Sequence, residues 1–361
     1  MIARGRVWRI VGVVVAAISL LSSGACSSDD ASTAPAGTTE TPSTAQPSGS
    51  TTAPTGTDPD TSPTARATGP SAGCEADSPA DPGTSDETID SGGVERKYLL
   101  IVPDGYDGST PLPLVFTLHS LTVDYHAVPG LSGLDAAAAE NDFITVSPSG
   151  RLAGGLPYWN AVAVDDNYDL EFLSGLLDHL ETTLCVDTGR VYSVGMSNGA
   201  QTSSLLGCRM GERIAGIGPV AGVEFNGPCS GPPIPVIAFH GDADPIVPYG
   251  GGGLNSVAIA DMNFYNGKVP AGVEPPTGVD ESMSRWADHN GCDPEPVEER
   301  ISAEVRHRTW QNCDAPTELY IVDNGGHSWP GWPQPAFESQ FGHGTTDIDA
   351  TALMFDFFSR S

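Results

Sequence analysis

Short apolar segments alternate with amphipathic segments along residues 94–361, and this alternation restricts the fold more than any other feature of the chain. Strands that alternate with helices over such a length predict a mostly parallel sheet covered by helices on both faces, so the fold class is α/β. We predict strands over 96–102, 114–118, 143–146, 191–194, 214–220, 236–239, 305–310 and 319–322, and helices over 131–140, 166–184, 198–210, 282–289 and 350–358.

A Gly-rich turn, GMSNG at 195–199, follows the predicted strand 191–194 and opens a predicted helix. Such a turn exposes a Ser hydroxyl at the carboxyl end of the strand and aims the next backbone N–H at the same space. An ordinary Gly-rich turn is the alternative, but the position between strand and helix favours a nucleophile. We therefore predict Ser197 as the nucleophile and the Asn198 N–H as an oxyanion donor.

A serine nucleophile needs a base and an acid that orients the base. In α/β enzymes with this turn they follow in the order Ser, Asp or Glu, His. Asp244 lies in the loop after strand 236–239, and His327 lies in the loop after strand 319–322. Because both loops leave the carboxyl ends of predicted strands, we expect them at one edge of the sheet. Asp244 is the predicted acid and His327 the predicted base.

Other polar residues near these loops are weaker candidates. Asp242 is a rival acid, although capping or shaping the turn suits it better. His307, within a predicted strand, and His343, in a Gly-flanked loop, are rival bases. His240 stands at the end of a strand and is predicted to have a structural role.

A second oxyanion donor is expected from the loop after an early strand. That strand is 114–118, and the loop continues through Ser120 and Leu121. We predict the backbone N–H of Leu121 as the donor, with Ser120 as the alternative.

Aromatic residues stand beside the motifs. Trp159, Tyr249 and Trp329 are candidates for stacking on a sugar or a phenolic acyl group, and Trp332 is a further aromatic residue nearby. Plain packing of the motif loops is the alternative for each. The sequence has no CxxC pair and no His-rich cluster, so we predict no metal site.

The N-terminal residues differ from the rest of the chain. A basic start, an apolar run over 10–21 and small residues predict a signal peptide over 1–25. Cys26 follows and resembles the lipidated cysteine of a bacterial lipoprotein, an ordinary secreted protein being the alternative. Residues 26–73 contain almost only Ser, Thr, Pro, Ala and Gly, which predicts a disordered tether. Residues 74–361 are then the catalytic domain of an exported protein.

Charge and cysteine content restrict the partners and the compartment. Acidic residues outnumber basic residues by 46 to 16, a net charge of −30, so we expect no nucleic-acid partner and membrane attachment only through a lipidated N-terminus. Six further cysteines in an exported body suggest disulfides, and several pairings are open. The short loops 208–229 and 292–313 are favoured, which leaves 74–185. The six residues are Cys74, Cys185, Cys208, Cys229, Cys292 and Cys313.

The motifs together resemble a known family over residues 96–358. This family comprises exported polyhydroxybutyrate depolymerases and feruloyl or acetylxylan esterases, related to carbohydrate esterase family one. The early loop of the family usually has Gly where this chain has Ser120. The similar segments are LHS at 118–120, YWN at 158–160, GMSNGA at 195–200, HGDADPIVPY at 240–249 and GGHSWPG at 325–331.

The resemblance implies an α/β-hydrolase that hydrolyses esters through an acyl-Ser197 intermediate, without metal or cofactor. It implies Ser197, Asp244 and His327 as a catalytic triad, and it supports the pairs 208–229 and 292–313. The expected substrate is a carboxylic ester, polymeric in some cases, of polyhydroxyalkanoate type or a feruloyl or acetyl group on a polysaccharide. Transfer of the acyl group to a sugar and a weakly active cell-surface binding protein are the alternatives.

Overall fold

The computed structural model describes residues 66, 68–76, 80–163, 166–225, 227, 229, 231–252 and 277–360. The predicted signal peptide, Cys26 and most of the predicted tether lie outside these residues. Within the described ranges, no helix is both long enough and apolar enough to cross a membrane.

The described chain alternates strands and helices. The strands β1 to β12 are Gly83–Ser91, Val94–Val102, Leu112–Leu118, Ile144–Pro148, Arg151–Ala153, Leu156–Tyr158, Val186–Met196, Gly216–Val220, Val236–Gly241, Val297–Arg300, Val305–Thr309 and Thr317–Val322. The helices α1 to α7 are Val128–Ser132, Leu134–Glu140, Tyr168–Thr183, Asn198–Arg209, Val279–His289, Glu338–Phe341 and Ala350–Arg360. Short 3-10 turns occupy Ala72–Glu75 and Pro335–Phe337.

A large sheet runs through the molecule in the order β1-β2-β4-β3-β7-β8-β9-β12-β11-β10. Its central strands, from β4 to β12 in this order, pair in parallel. The strands at both ends pair antiparallel. β5 and β6 form a separate hairpin. The mostly parallel sheet of the prediction is therefore confirmed.

Helices cover both faces of this sheet. Leu114 and Phe116 of β3 belong to one core, which also contains Phe172 of α3 and Trp286 of α5. Val115 points to the other face, into a core that contains side chains of α2 and α7. Successive side chains of a strand point to opposite faces, so one strand serves both cores.

The helix α3 shows how the sequence produces one of these layers. It begins after Asn167, whose side chain accepts hydrogen bonds from the N–H groups of Asp169 and Leu170. Apolar residues at helical spacing then turn one face toward the sheet. The buried apolar residues are Phe172, Leu173, Leu176, Leu177 and Leu180.

The predicted helix over 131–140 is in fact two short helices, α1 and α2. Gly133 separates them in the left-handed region, with a φ of 70°. A side chain at this position would also collide with the ring of Trp332. The break therefore allows this ring to pack directly against the backbone.

The strands β1, β5, β6 and β10 are absent from the prediction. In β1, Ile89 is the only apolar residue, so the sequence shows no alternation. Backbone pairing with β2 holds the strand instead, from Gly83 opposite Val102 to Ser91 opposite Val94. The Gly-Gly pair at 92–93, with φ of 60° and 76°, is a hairpin signal that could have revealed it.

Three disulfides close the fold, with the pairing that the loop lengths favour. They join Cys74 to Cys185, Cys208 to Cys229 and Cys292 to Cys313. Such bonds are typical of proteins that fold outside the reducing cytosol.

Ordered contacts begin before the predicted domain boundary at residue 74. The Ser71 hydroxyl donates to the Leu184 carbonyl at 2.7 Å, and the Ser71 N–H donates to the Val186 carbonyl at 2.8 Å. Residues 68–73, predicted as part of the tether, thus contact the catalytic body. These contacts could not be predicted from the sequence, because backbone groups and the hydroxyl of Ser71 make them and not apolar side chains.

Candidate active site

Ser197 lies in a tight turn between β7 and α4. Its backbone has a φ of 58° and a ψ of −121°, a conformation that L-residues adopt only where the surroundings enforce it. The Ser197 N–H donates to the Val220 carbonyl at 2.9 Å, and the Ser197 carbonyl accepts from the Gln201 N–H at 3.0 Å. These bonds hold the turn on the neighbouring strand β8 and on the first turn of α4.

The glycines of the turn are required by close backbone approach. A Cβ on Gly199 would collide with the carbonyl of Leu118 at the end of β3. A Cβ on Gly195 would lie 2.7 Å from the carbonyl carbon of Gly199. The turn can therefore sit against the end of β3 only with glycine on both sides of Ser197.

Asp244 and His327 form a buried acid–base pair. His327 Nδ1 lies 2.8 Å from Asp244 Oδ2, and the two residues are 8% and 5% exposed. Burial raises the pKa of Asp244, but the interactions with His327, His240 and the Val247 N–H together outweigh burial and hold that pKa below its usual value. The carboxylate is therefore ionised at neutral pH and keeps the Nδ1 proton of His327 in place.

Glycines also shape the loop that carries His327. A Cβ on Gly326 would collide with the carbonyl of Phe341, and a Cβ on Gly241 would collide with the carbonyl of Gly325. The His327 N–H donates to the Phe341 carbonyl at 2.5 Å. The loop that carries His327 is thus packed between the loop that carries Asp244 and the segment around Phe341.

The three predicted triad residues follow neighbouring parallel strands. Ser197 follows β7, Asp244 follows β9 and His327 follows β12, and only β8 separates β7 from β9 in the sheet. They therefore share the carboxyl edge, where open α/β sheets place their sites. The Ser197 hydroxyl makes no hydrogen bond with another described residue, and such bonds are often long in unliganded sites.

The rival acid and bases have other partners. Asp242 accepts from Arg306 at 3.0 Å and from the Asn324 N–H at 2.6 Å. His307 stacks on Tyr320 and contacts Glu318. His343 lies between Glu304 and Glu338. None of the three contacts His327 or Ser197 among the hydrogen bonds and ion pairs of the described residues.

The loop after β3 lies beside the turn that carries Ser197. The Ser120 hydroxyl donates to the Met196 carbonyl at 3.2 Å. The left-handed residue of this loop is Thr122, with a φ of 67°, so Ser120 needs no glycine conformation. The N–H groups of Leu121 and Asn198 have no acceptor within the described part of the chain, which leaves both available to a ligand.

Two of the three predicted stacking residues are buried. Trp159 is 0% exposed, and Trp329 is 4% exposed with its Nε1 bonded to Thr351 Oγ1 at 2.9 Å. Their burial agrees with the alternative, packing of the motif loops, and contradicts stacking of these two rings on a substrate. Tyr249 is half-buried, and its hydroxyl donates to Asp280 at 2.5 Å.

The structure adds side chains that the sequence reasoning did not place in the site. His240 lies 3.5 Å from Asp244 Oδ2, and its Nε2 bonds the Val247 carbonyl at 2.9 Å. The ring of Phe341 lies 6.2 Å from the ring of His327, and Phe337 packs edge-on against Phe341. Phe341 stands outside every motif, so no sequence signal pointed to it. The described residues contain no cluster of His, Cys, Asp and Glu that could hold a metal ion.

Comparison with known proteins finds sequence relatives that are named esterases. No protein-family model matches the chain. It is 32% identical over 206 residues to feruloyl esterase C of Emericella nidulans, covering 55% of this chain and 71% of the relative. It is 24% identical over 319 residues to feruloyl esterase D of Neurospora crassa, covering 82% and 93%.

A solved structure supports the fold. The acetyl xylan esterase from Aspergillus awamori superimposes with a TM-score of 0.50 at 14% identity, covering 68% of this chain and 94% of the other. At this low identity, the structural similarity supports the α/β-hydrolase fold. The sequence relatives that are 30% and 32% identical, each covered over 71% of its length, show that the chain belongs to the family of the feruloyl esterases and is a serine hydrolase that acts on carboxylic ester bonds.

Proposed function

We propose that Ser197, His327 and Asp244 are the catalytic triad of this esterase. The observation that carries the proposal is the buried Asp244–His327 pair on the same sheet edge as the strained Ser197 turn. His327 Nε2 takes the Ser197 Oγ proton as Oγ attacks the ester carbonyl carbon. The N–H groups of Asn198 and Leu121 stabilise the oxyanion.

The second half of the reaction regenerates the enzyme. The tetrahedral intermediate expels the alcohol, which takes the proton from His327 and leaves an acyl-Ser197 ester. His327 then accepts a proton from water as the resulting hydroxide attacks the acyl carbon. The bond between the acyl carbon and Ser197 Oγ breaks, Oγ takes the proton back from His327, and the carboxylic acid departs. Asp244 remains ionised throughout and stabilises the imidazolium.

We propose an aromatic acyl ester on a carbohydrate, of the feruloyl type, as the substrate class. Support comes from the names of the sequence relatives and from the half-buried ring of Phe341 beside His327, with Phe337 next to it. An apolar ring beside the proposed base is suited to packing against an aromatic acyl group on Ser197, because such aromatic pairs contribute about 0.5–1.5 kcal/mol beyond the area that they bury.

The test is hydrolysis of a panel of acetyl, butyryl, feruloyl and oligomeric hydroxyalkanoate esters. We expect Ser197→Ala to abolish turnover on all of them. Phe341→Leu should lower kcat/KM about 5- to 10-fold for the feruloyl ester, since a lost aromatic contact is worth about 1 kcal/mol, and leave the acetyl ester unchanged. Retained activity in Ser197→Ala would reject the triad. Equal losses on both esters would reject the aromatic site.

We further propose that the protein is exported and attached to a membrane through a lipidated Cys26. The support is the predicted signal sequence before Cys26 together with the disulfides of the body. Metabolic labelling with a palmitate analogue should mark the wild-type chain and not Cys26→Ser. An unlabelled wild-type chain found free in the medium would favour an ordinary secreted protein.

A further inference from the structure

Two side chains outside the triad hold the oxyanion loop. The ring of His119 is fully buried, and its Nε2 accepts the Gly150 N–H at 2.9 Å. The ring proton must therefore be on Nδ1, which donates to the Ser120 carbonyl at 2.8 Å. Burial lowers the pKa of His119 to about 4, so this neutral tautomer persists at neutral pH.

The carbonyl that His119 binds belongs to the peptide group that contains the Leu121 N–H. In a trans peptide the C=O and the N–H point in opposite directions within one plane. When His119 fixes the Ser120 carbonyl, it also fixes the direction of the Leu121 N–H. That N–H is the second oxyanion donor of the proposed function.

Trp159 fixes the preceding peptide group of the same loop. Its Nε1 donates to the His119 carbonyl at 3.1 Å. Its ring also stacks on the His119 ring, with the centroids 4.8 Å apart. Trp159 therefore restrains both the backbone and the imidazole of His119.

The backbone of Trp159 reaches the other oxyanion donor. Its N–H donates to Asn198 Oδ1 at 2.7 Å, and its carbonyl accepts from Asn198 Nδ2 at 3.1 Å. The two bonds form a closed pair that fixes the residue carrying the first donor N–H. One tryptophan thus contacts both donor-bearing segments.

The segment around Trp159 is itself anchored. The next residue, Asn160, donates its N–H to Asp169 Oδ2 at 2.8 Å. Asp169 is buried in an ion pair with Arg96 at 2.7 Å. The segment that carries Trp159 is therefore anchored on α3 and β2.

We propose that His119 and Trp159 are positioning residues that set the direction and the spacing of the two oxyanion donors. The proposal rests on the proposed function, because it concerns the donors of that same site. It predicts that disturbing either residue weakens binding of the transition state and leaves binding of the ester largely unchanged.

Two substitutions separate the two hydrogen bonds of His119. Asn places an amide donor near the position of Nδ1, and Gln places an acceptor near the position of Nε2. We expect His119→Asn to keep kcat within about 5-fold, because the bond to Ser120 survives. His119→Gln should lower kcat by about 10- to 100-fold with KM within about 3-fold, somewhat less than the loss of a whole donor.

Trp159→Phe is the second variant, and Trp286→Phe is its matched control. Trp286 is also 0% exposed and donates its Nε1 to a backbone carbonyl, that of Glu224 at 2.8 Å, but it lies on α5. Both substitutions remove one buried indole bond and keep a ring. We expect kcat to fall about 10-fold in Trp159→Phe and to remain unchanged in Trp286→Phe.

An aryl boronic acid that adds to the Ser197 hydroxyl supplies a readout specific to the oxyanion site. Its inhibition constant should rise in His119→Gln and Trp159→Phe in parallel with the loss of kcat. Equal kcat losses in His119→Asn and His119→Gln, a change confined to KM, or an unchanged inhibition constant would overturn the proposal. An inactive wild type, or an active Ser197→Ala, would instead reject the proposed function.

Discussion

Asp244 uses its two carboxylate oxygens for different tasks. Oδ1 accepts the N–H groups of Ile246 and Val247, at 2.7 and 2.9 Å, while Oδ2 faces His327. The loop therefore orients the acid through its own backbone. An Asp at this position is short enough to close such a turn onto residues two and three further along the chain.

Asp244→Asn tests this arrangement. The amide keeps the size of the side chain but cannot hold the Nδ1 proton of His327 in place, so we expect kcat to fall about 10⁴-fold with little change in KM. Steady-state kinetics on the best ester of the panel measures it.

Asp242→Asn is the control, since Asp242 stands two residues earlier and contacts Arg306 instead. It should keep kcat within about 3-fold. A larger loss in Asp242→Asn than in Asp244→Asn would exchange the roles of the two carboxylates.

At the scale of single residues, the sequence predicted the positions of the polar site residues better than the burial of the aromatic residues. Ser197, Asp244 and His327 stand in loops whose order along the chain places them at one edge. The burial of Trp159 depends on which loop packs over it, through bonds to Asn198 and His119 that are distant in sequence. No local pattern distinguishes such a tryptophan from an exposed one, and the half-buried Tyr249 had the same local signature.

At the scale of elements, the contact between α4 and the end of β3 determines the site. Gly199→Ala should force the first turn of α4 away from the Leu118 carbonyl. We expect it to lower the free energy of unfolding by about 1–3 kcal/mol and kcat by more than 10-fold. Chemical denaturation and kinetics on the same sample measure both effects.

Gly175→Ala provides the comparison. Gly175 lies within α3, and a Cβ there meets no atom within 4 Å. Alanine is more favourable than glycine in a helix interior, so the free energy of unfolding of this variant should be higher by about 0.5–1 kcal/mol. If Gly199→Ala raised the free energy of unfolding as Gly175→Ala does, the close packing of α4 on β3 would not explain the glycine at position 199.

The central strands were predictable and the edge strands were not, for a physical reason. A strand with neighbours on both sides and helices on both faces is buried at every position, as Ile144–Pro148 and Val236–Gly241 are, and such strands are rich in apolar residues. β10, Val297–Arg300, is exposed at every position. Backbone pairing with β11 holds it, and such pairing leaves no signature in the side chains.

At the scale of the whole molecule, buried neutral histidines make stability depend on pH. Burial lowers the pKa of His119 from 6.5 to about 4 and also lowers the pKa of His240. Between pH 6.5 and 4 the unfolded chain therefore takes up protons that the folded chain does not. The free energy of unfolding should therefore decrease as the pH is lowered across this window, by about 3 kcal/mol for His119 alone.

Urea unfolding at several pH values between 7.5 and 4 checks this dependence. His119→Asn should show a shallower slope, smaller by about one proton, because it lacks one of the two groups. Equal slopes for the wild type and His119→Asn would mean that the folded and unfolded states bind protons at His119 alike, which would contradict the lowered pKa.

The bond between Cys74 and Cys185 has a mechanical consequence. Cys185 immediately precedes β7, and Ser197 immediately follows it. Eleven residues of strand, about 36 Å, therefore separate the two ends. A force applied to the chain on the N-terminal side of Cys74 is transmitted by the disulfide to Cys185, at the beginning of the central strand β7. It does not act on the edge strand β1, which follows Cys74 in the chain.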